Sequence, residues 1–158
     1  MLLDKWRSYK QIKQNTQSTK QLEEILELMD YGAFSDEESY APERFEVFQA
    51  YAFCLDDKRP EEAEKYYIKA LKEAAKHHLD MQPRTAAAVA AVYYNYAWVL
   101  WYKLSNEEAI IHFGRAIELT ETYLENGILT ADHARKNLAH YGVALLIIYR
   151  DTGRKKEH

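Results

Sequence analysis

Apolar residues recur at three- and four-residue intervals along nearly the whole chain, the spacing of one helix face. Trp6, Tyr9 and Ile12 fall three apart and predict a short first helix. The polar run from Gln14 to Thr19 interrupts it. Ser18 or Thr19 can cap the next helix, Gln21 to Tyr31, whose Leu22, Ile25, Leu26 and Met29 make one stripe. Gly32 stands where a helix end favours a left-handed residue, and Ser35 to Tyr40 reads as an acidic loop. Pro42, Pro60 and Pro83 each precede a helical pattern, where the fixed φ of proline helps and its missing N–H costs nothing. Glu43 and the Glu61-Glu62 pair follow two of them and suit the positive end of a helix dipole. The spacing therefore predicts helices over 43–56, 60–78, 83–104, 106–126 and 130–151, with Asn106 and Thr130 capping the last two and Gly127 ending the fourth of these. The connections are short, so sequential helices should be antiparallel neighbours. No strand pattern of useful length appears. The expected fold class is all-α, about seven helices in a single domain of residues 1–158.

Two stretches repeat each other. Pro60-Glu61-Glu62-Ala63-Glu64-Lys65-Tyr66-Tyr67-Ile68-Lys69-Ala70-Leu71 is echoed by Asn106-Glu107-Glu108-Ala109-Ile110-Ile111-His112-Phe113-Gly114-Arg115-Ala116-Ile117. Each has alanine, an aromatic four residues on, and alanine three later. Small residues mark where two helices touch, and the large ones fill the space beside them. The preceding helices match too: Phe48, Ala52 and Leu55 in the first unit, Tyr93, Tyr96, Ala97 and Leu100 in the second. Asn137-Leu138-Ala139 repeats Asn95-Tyr96-Ala97 after forty-two residues. Residues 43–158 thereby resemble the tetratricopeptide (TPR) repeat family, in the long-helix form of kinesin light chains and of the peptide-sensing regulators of Gram-positive bacteria. That resemblance implies a right-handed solenoid of helical hairpins, with residues 1–32 forming N-terminal helices ahead of it. Asp151-Thr152-Gly153-Arg154 reads as the turn before a further helix.

In the TPR family ligands lie in the groove lined by the first helix of each hairpin. Carried over by position, the resemblance implies Gln49 and Phe53 from the first unit. It implies Tyr94, Asn95, Trp98, Trp101 and Tyr102 from the second, and Lys136, Asn137 and His140 from the third. Asn95 matches a groove asparagine that bonds a ligand backbone in many relatives; an amide offers donors and an acceptor together. Trp98, Trp101 and Tyr102 supply flat apolar contact with a polar edge. The alternative is that these aromatics pack inward or against the N-terminal helices, and that Asn137 is an interhelical amide. Tyr93 and Tyr96 are assigned to the core.

Composition narrows the partners. The net charge of −4 is uneven: residues 1–20 hold five basic and one acidic residue, and residues 21–64 hold fourteen acidic and three basic. An acidic middle argues against nucleic acid, which needs a basic stripe. One cysteine, Cys54, excludes an internal disulfide and fits a reducing compartment; it reads as a small buried apolar residue. No apolar run reaches the ~20 residues of a membrane span, and Asp4 and Lys5 come too early for a signal peptide. A cytoplasmic protein is expected.

No phosphate-binding glycine loop, nucleophile elbow or isolated carboxylate pair appears. His77 and His78 point to different helix faces; His133 and His140 share one but lack further ligands, so neither metal nor cofactor is expected. From Tyr141 to Tyr149 the last helix is apolar on nearly every side, where a terminal solenoid helix should be polar outside. Either a symmetric homodimer covers Tyr141, Leu145, Leu146, Ile148 and Tyr149, or the chain is a piece of a longer protein. The expected function is a non-enzymatic adaptor or regulator binding a protein or peptide segment. The alternative is a structural homodimer, in the style of small chaperones or immunity proteins, assembled through its C-terminal helix.

Overall fold

The structure, a computed structural model, describes residues 18–103 and 105–157, and side chains within 19–103 and 105–153. The helix expected at Trp6–Ile12 lies outside these residues. Among the described residues the chain is all-helical, with six α-helices, one short 3-10 turn and no strand. The helices are α1 (Ser18–Asp30), α2 (Ala41–Leu55), α3 (Pro60–Lys76), α4 (Ala86–Tyr102), α5 (Asn106–Glu125) and α6 (Ala131–Glu157). Where the sequence suggests one domain, the contacts divide into two compact units, with the boundary between His77 and His78.

In the first unit α1 packs on α2, and α2 on α3. The α1 stripe is oriented as its spacing predicts: Leu22 and Ile25 are buried, with Leu26 and Met29 half-buried beside them. Gly32 has φ +97°. It donates to Met29 O at 3.0 Å while Ala33 N donates to Leu28 O at 3.1 Å, the paired bonds of a Schellman end. Pro42 and Pro60 sit in the first turns of α2 and α3. Ala52 and Leu55 of α2 and Ala63, Tyr67 and Ala70 of α3 are all buried, and the two helices pack together. The Tyr67 hydroxyl donates to Asp56 Oδ2 at 3.1 Å. Burial holds the Asp56 carboxyl above its ordinary pKa, and the Tyr67 bond works against that shift. Cys54 is half-buried, not enclosed as its apolar surroundings in the sequence suggest.

Arg44 is the main tie of the acidic loop after α1, beside an ion pair between Glu37 and Lys76. Arg44 Nε and Nη2 donate to the two Glu73 carboxylate oxygens at 3.0 and 3.1 Å. Its Nη1 donates to the Phe34 and Asp36 carbonyls at 2.8 and 2.9 Å, and Nη2 also donates to the Glu37 carbonyl. All five guanidinium N–H groups are thus used. The Arg44 side chain is only 11% exposed. Within the loop Ser39 N donates to Asp36 Oδ1 at 2.9 Å, and that bond lowers the Asp36 pKa. Phe34, at φ 57°, turns its buried ring against Tyr40.

The second unit repeats the hairpin with α4 and α5 and adds α6, which packs on α5. Ala97 and Leu100 of α4 are buried, as are Ala109, Phe113 and Ala116 of α5. The alanine-rich start of α4 places Ala86 and Ala90 in full burial, as close helix packing requires. Tyr96 is in the core as expected, whereas Tyr93 is half-buried beside His112. Gly127, at φ 70°, ends α5: its N–H meets Leu124 O at 3.2 Å and Ile128 N meets Tyr123 O at 2.9 Å. Thr130 accepts from His133 N at 3.3 Å, the cap expected for α6.

Three local expectations are corrected. Helix α4 begins at Ala86, not Pro83: Leu79–Met81 forms a 3-10 turn, and the buried Thr85 hydroxyl donates to Leu79 O at 2.6 Å, which holds the chain out of helix until residue 86. Asn106 does not cap α5; it is the first helical residue, and its Oδ1 is buried with no hydrogen-bond partner among the described residues. Asp151–Arg154 is not a turn. Helix α6 runs through it, because Gly153 keeps helical backbone at a cost of about 1 kcal/mol and Thr152 Oγ1 back-bonds to Ile148 O at 2.8 Å.

Candidate functional site

On α4, Tyr94, Asn95, Trp98, Trp101 and Tyr102 follow the three- and four-residue spacing of a single face. Their rings run on from one to the next. The centroids of Tyr94 and Trp98 lie 6.2 Å apart, those of Trp98 and Trp101 5.5 Å, and those of Trp101 and Tyr102 5.2 Å, all edge-to-face. This is the preferred geometry of aromatic pairs. The row rests on the fully buried Phe113, 5.6 Å from Tyr94 and 5.2 Å from Trp98. Tyr94 and Trp98 are half-buried, and Tyr102, at the end of the row, is 69% exposed.

The face continues onto α6. The Tyr94 centroid lies 4.9 Å from both His140 and Tyr141. Beside His140 is an open hollow of about 540 Å³, lined by Lys136, Asn137, Ala139, His140 and Val143. Residues expected from two separate hairpins are therefore brought together by the ring of Tyr94. Asn95 and Asn137 are half-buried, and among the described residues neither amide makes a hydrogen bond. Lys136 is exposed and forms no ion pair there. Helix α4 itself carries no charged residue. The surface thus offers flat apolar contact, two amides and one cation. That set suits an extended segment with an apolar side chain and an acceptor for the lysine.

Gln49 and Phe53 belong to the first unit. Gln49 is half-buried on α2, and Phe53 is 58% exposed.

No protein-family model, curated protein or solved structure matches the chain. The site's meaning is carried by its own residues. Among the described residues, no helix is long and apolar enough to cross a membrane.

The interface expected on α6 is corrected in part. Tyr141 and Ile148 are buried within the protein and cannot meet a partner; with Ala144 they form the inward stripe of α6. Burial pushes the Tyr141 pKa up to about 12, so its phenol stays neutral. Leu145 is half-buried, while Leu146 (69% exposed) and Tyr149 face outward. Val143 and Ile147, also outward, extend that strip. Sequence reasoning omitted these two, although 143, 146 and 147 share one helical face. It also missed Tyr141 and Phe113 as supports of the aromatic row. Phe113 was legible as core, but nothing local says which rings it touches.

Proposed function

We propose that the chain is a TPR-like helical-hairpin protein that binds a peptide segment of another protein, without catalysis, on the α4–α6 face of its second unit. In this reading α4, α5 and α6 are one and a half repeats of a TPR-like series. The observation that carries it is the contact of Tyr94 with His140, which joins the aromatic row of α4 to the hollow beside Lys136 and Asn137. The two amides with no partner among the described residues supply what an extended backbone needs. The ligand is an extended segment with an aromatic or aliphatic anchor and an acidic residue for Lys136. Selection of random displayed peptides on the full chain, followed by tryptophan fluorescence titration, tests this. The selected peptides should bind wild type and lose about tenfold or more in affinity against the Asn137→Ala, His140→Ala variant, a loss of about 1.4 kcal/mol. Asn137 is half-buried and His140 packs on Tyr94, so unchanged circular dichroism and urea midpoint of the variant should accompany the loss. Peptides that bind the variant as well as wild type would sink the reading.

A second reading is favoured by one observation: Val143, Leu146, Ile147 and Tyr149 leave an apolar strip uncovered on α6. A second copy of the chain would cover it in an isologous pair. Light scattering should then report a dimer for wild type and a monomer for Leu146→Asp. Equal monomeric masses for the two proteins would remove this reading and leave the first intact.

A further inference from the structure

The first unit contains a hollow of about 400 Å³ between α1, the acidic loop, α2 and α3. Its apolar wall is Leu26, Met29, Phe34, Phe48 and Tyr66. Five charged side chains also border it: Asp30, Glu37, Arg44, Lys69 and Glu73. Arg44 and Glu73 satisfy each other, and Glu37 is paired with Lys76. Lys69 and Asp30 are left with no ion pair or hydrogen bond among the described residues.

The Lys69 ammonium lies 4.8 Å from the centre of the Tyr66 ring and 5.8 Å from that of Phe48. The rings fix its place by cation–π attraction, but they do not use its three N–H donors in ordinary hydrogen bonds. A cation already lies over these π faces, so a cationic ligand would be repelled. An anion would find a positioned charge beside an apolar wall. Asp30 at the same rim repels any anion, a doubly charged one such as phosphate more than a monocarboxylate whose charge Lys69 can match.

We propose that this hollow binds a small apolar monocarboxylate, with Lys69 as the group that receives the carboxylate. Its volume falls in the range of small-ligand sites, roughly 300–1,000 Å³. A free aromatic or branched aliphatic acid and the terminal residue of a peptide offer the same chemistry. The inference stands on the first unit and is independent of the peptide reading of the second.

Calorimetric titration of the full chain with N-acetylphenylalanine and with its neutral amide tests the proposal. The acid should bind, and the amide should bind at least about tenfold more weakly. Lys69→Gln should lose about tenfold or more for the acid, while Lys69→Arg, which keeps the charge, should retain most of it. Unchanged circular dichroism and urea midpoint for Lys69→Gln would show that the fold is kept. A tripeptide with a free C-terminal phenylalanine separates the two sources: tighter binding than the N-acetyl acid assigns the hollow to peptide ends, weaker binding to free acids. Equal binding of acid and amide, an undiminished affinity in Lys69→Gln, or no binding of the acid at about 10 mM would overturn the assignment.

Discussion

Arg44→Ala should destabilise the first unit by about 3 kcal/mol, the range for breaking a largely buried, hydrogen-bonded ion pair. The substitution takes both hydrogen bonds of Arg44 from the Glu73 carboxylate, which is 21% exposed and keeps His77 Nε2 at 3.7 Å. It also removes the Arg44 donor from the Phe34, Asp36 and Glu37 carbonyls, of which Asp36 O still accepts from Tyr40 N at 3.3 Å. Arg44→Lys should recover only part of this. An ammonium has three donors and no fork, so it cannot serve a bidentate carboxylate and the loop together. Hydrogen exchange should localise the effect: amides of residues 31–40 should lose protection before those of α3. A coupling between Arg44→Ala and Glu73→Ala near zero in a double-mutant cycle would refute the clamp. Asp36 adds a smaller pH term of known sign. Its carboxyl is lowered in the folded state, so its contribution is present above the unfolded carboxylate pKa and is lost as pH falls through the folded one.

Phe113→Ala should cost about 3–5 kcal/mol, the usual loss for a large aromatic removed from a full core. Phe113 is fully buried and carries both Tyr94 and Trp98. Its loss should also disorder the aromatic row, which a red-shifted tryptophan emission would report. A stability within about 1 kcal/mol of wild type, with unchanged emission, would contradict this role. The repeat supplies a finer comparison. Tyr67 occupies the same position in the first unit and has Asp56 as acceptor, four residues after Ala52. Four residues after the matching Ala97 stands Trp101, which cannot accept. Phe113→Tyr should therefore destabilise by about 1–3 kcal/mol through an unpaired buried hydroxyl.

The repeat was the most legible part of the chain. Both alanine–aromatic–alanine triplets are fully buried, and both hairpins form where the spacing puts them. The glycine ends at 32 and 127 and the Thr130 cap were equally readable, because each depends on residues at most five apart. The start of α4 was misread because the Thr85 hydroxyl reaches back to Leu79, a bond that proline statistics do not contain. The Arg44–Glu73 clamp spans 29 positions, and no local pattern announces it. On α6 an apolar run without a polar face left open which residues turn inward. Packing against α5, and the contact of Tyr141 with Tyr94 of α4, turned Tyr141, Ala144 and Ile148 inward and left Leu146 exposed.

Helix periodicity, caps and small-residue contacts act over a few residues, so the sequence by itself determined the helices, the repeated hairpin and most of the oily faces. Which ring meets which across two helices depends on how each helix is rotated about its axis. That rotation is settled only when all the side chains at an interface fill their space at once. The tertiary structure alone therefore decided that Tyr94 meets His140, that Arg44 ties the acidic loop to Glu73, and that Lys69 faces a hollow with no hydrogen bond or ion pair among the described residues.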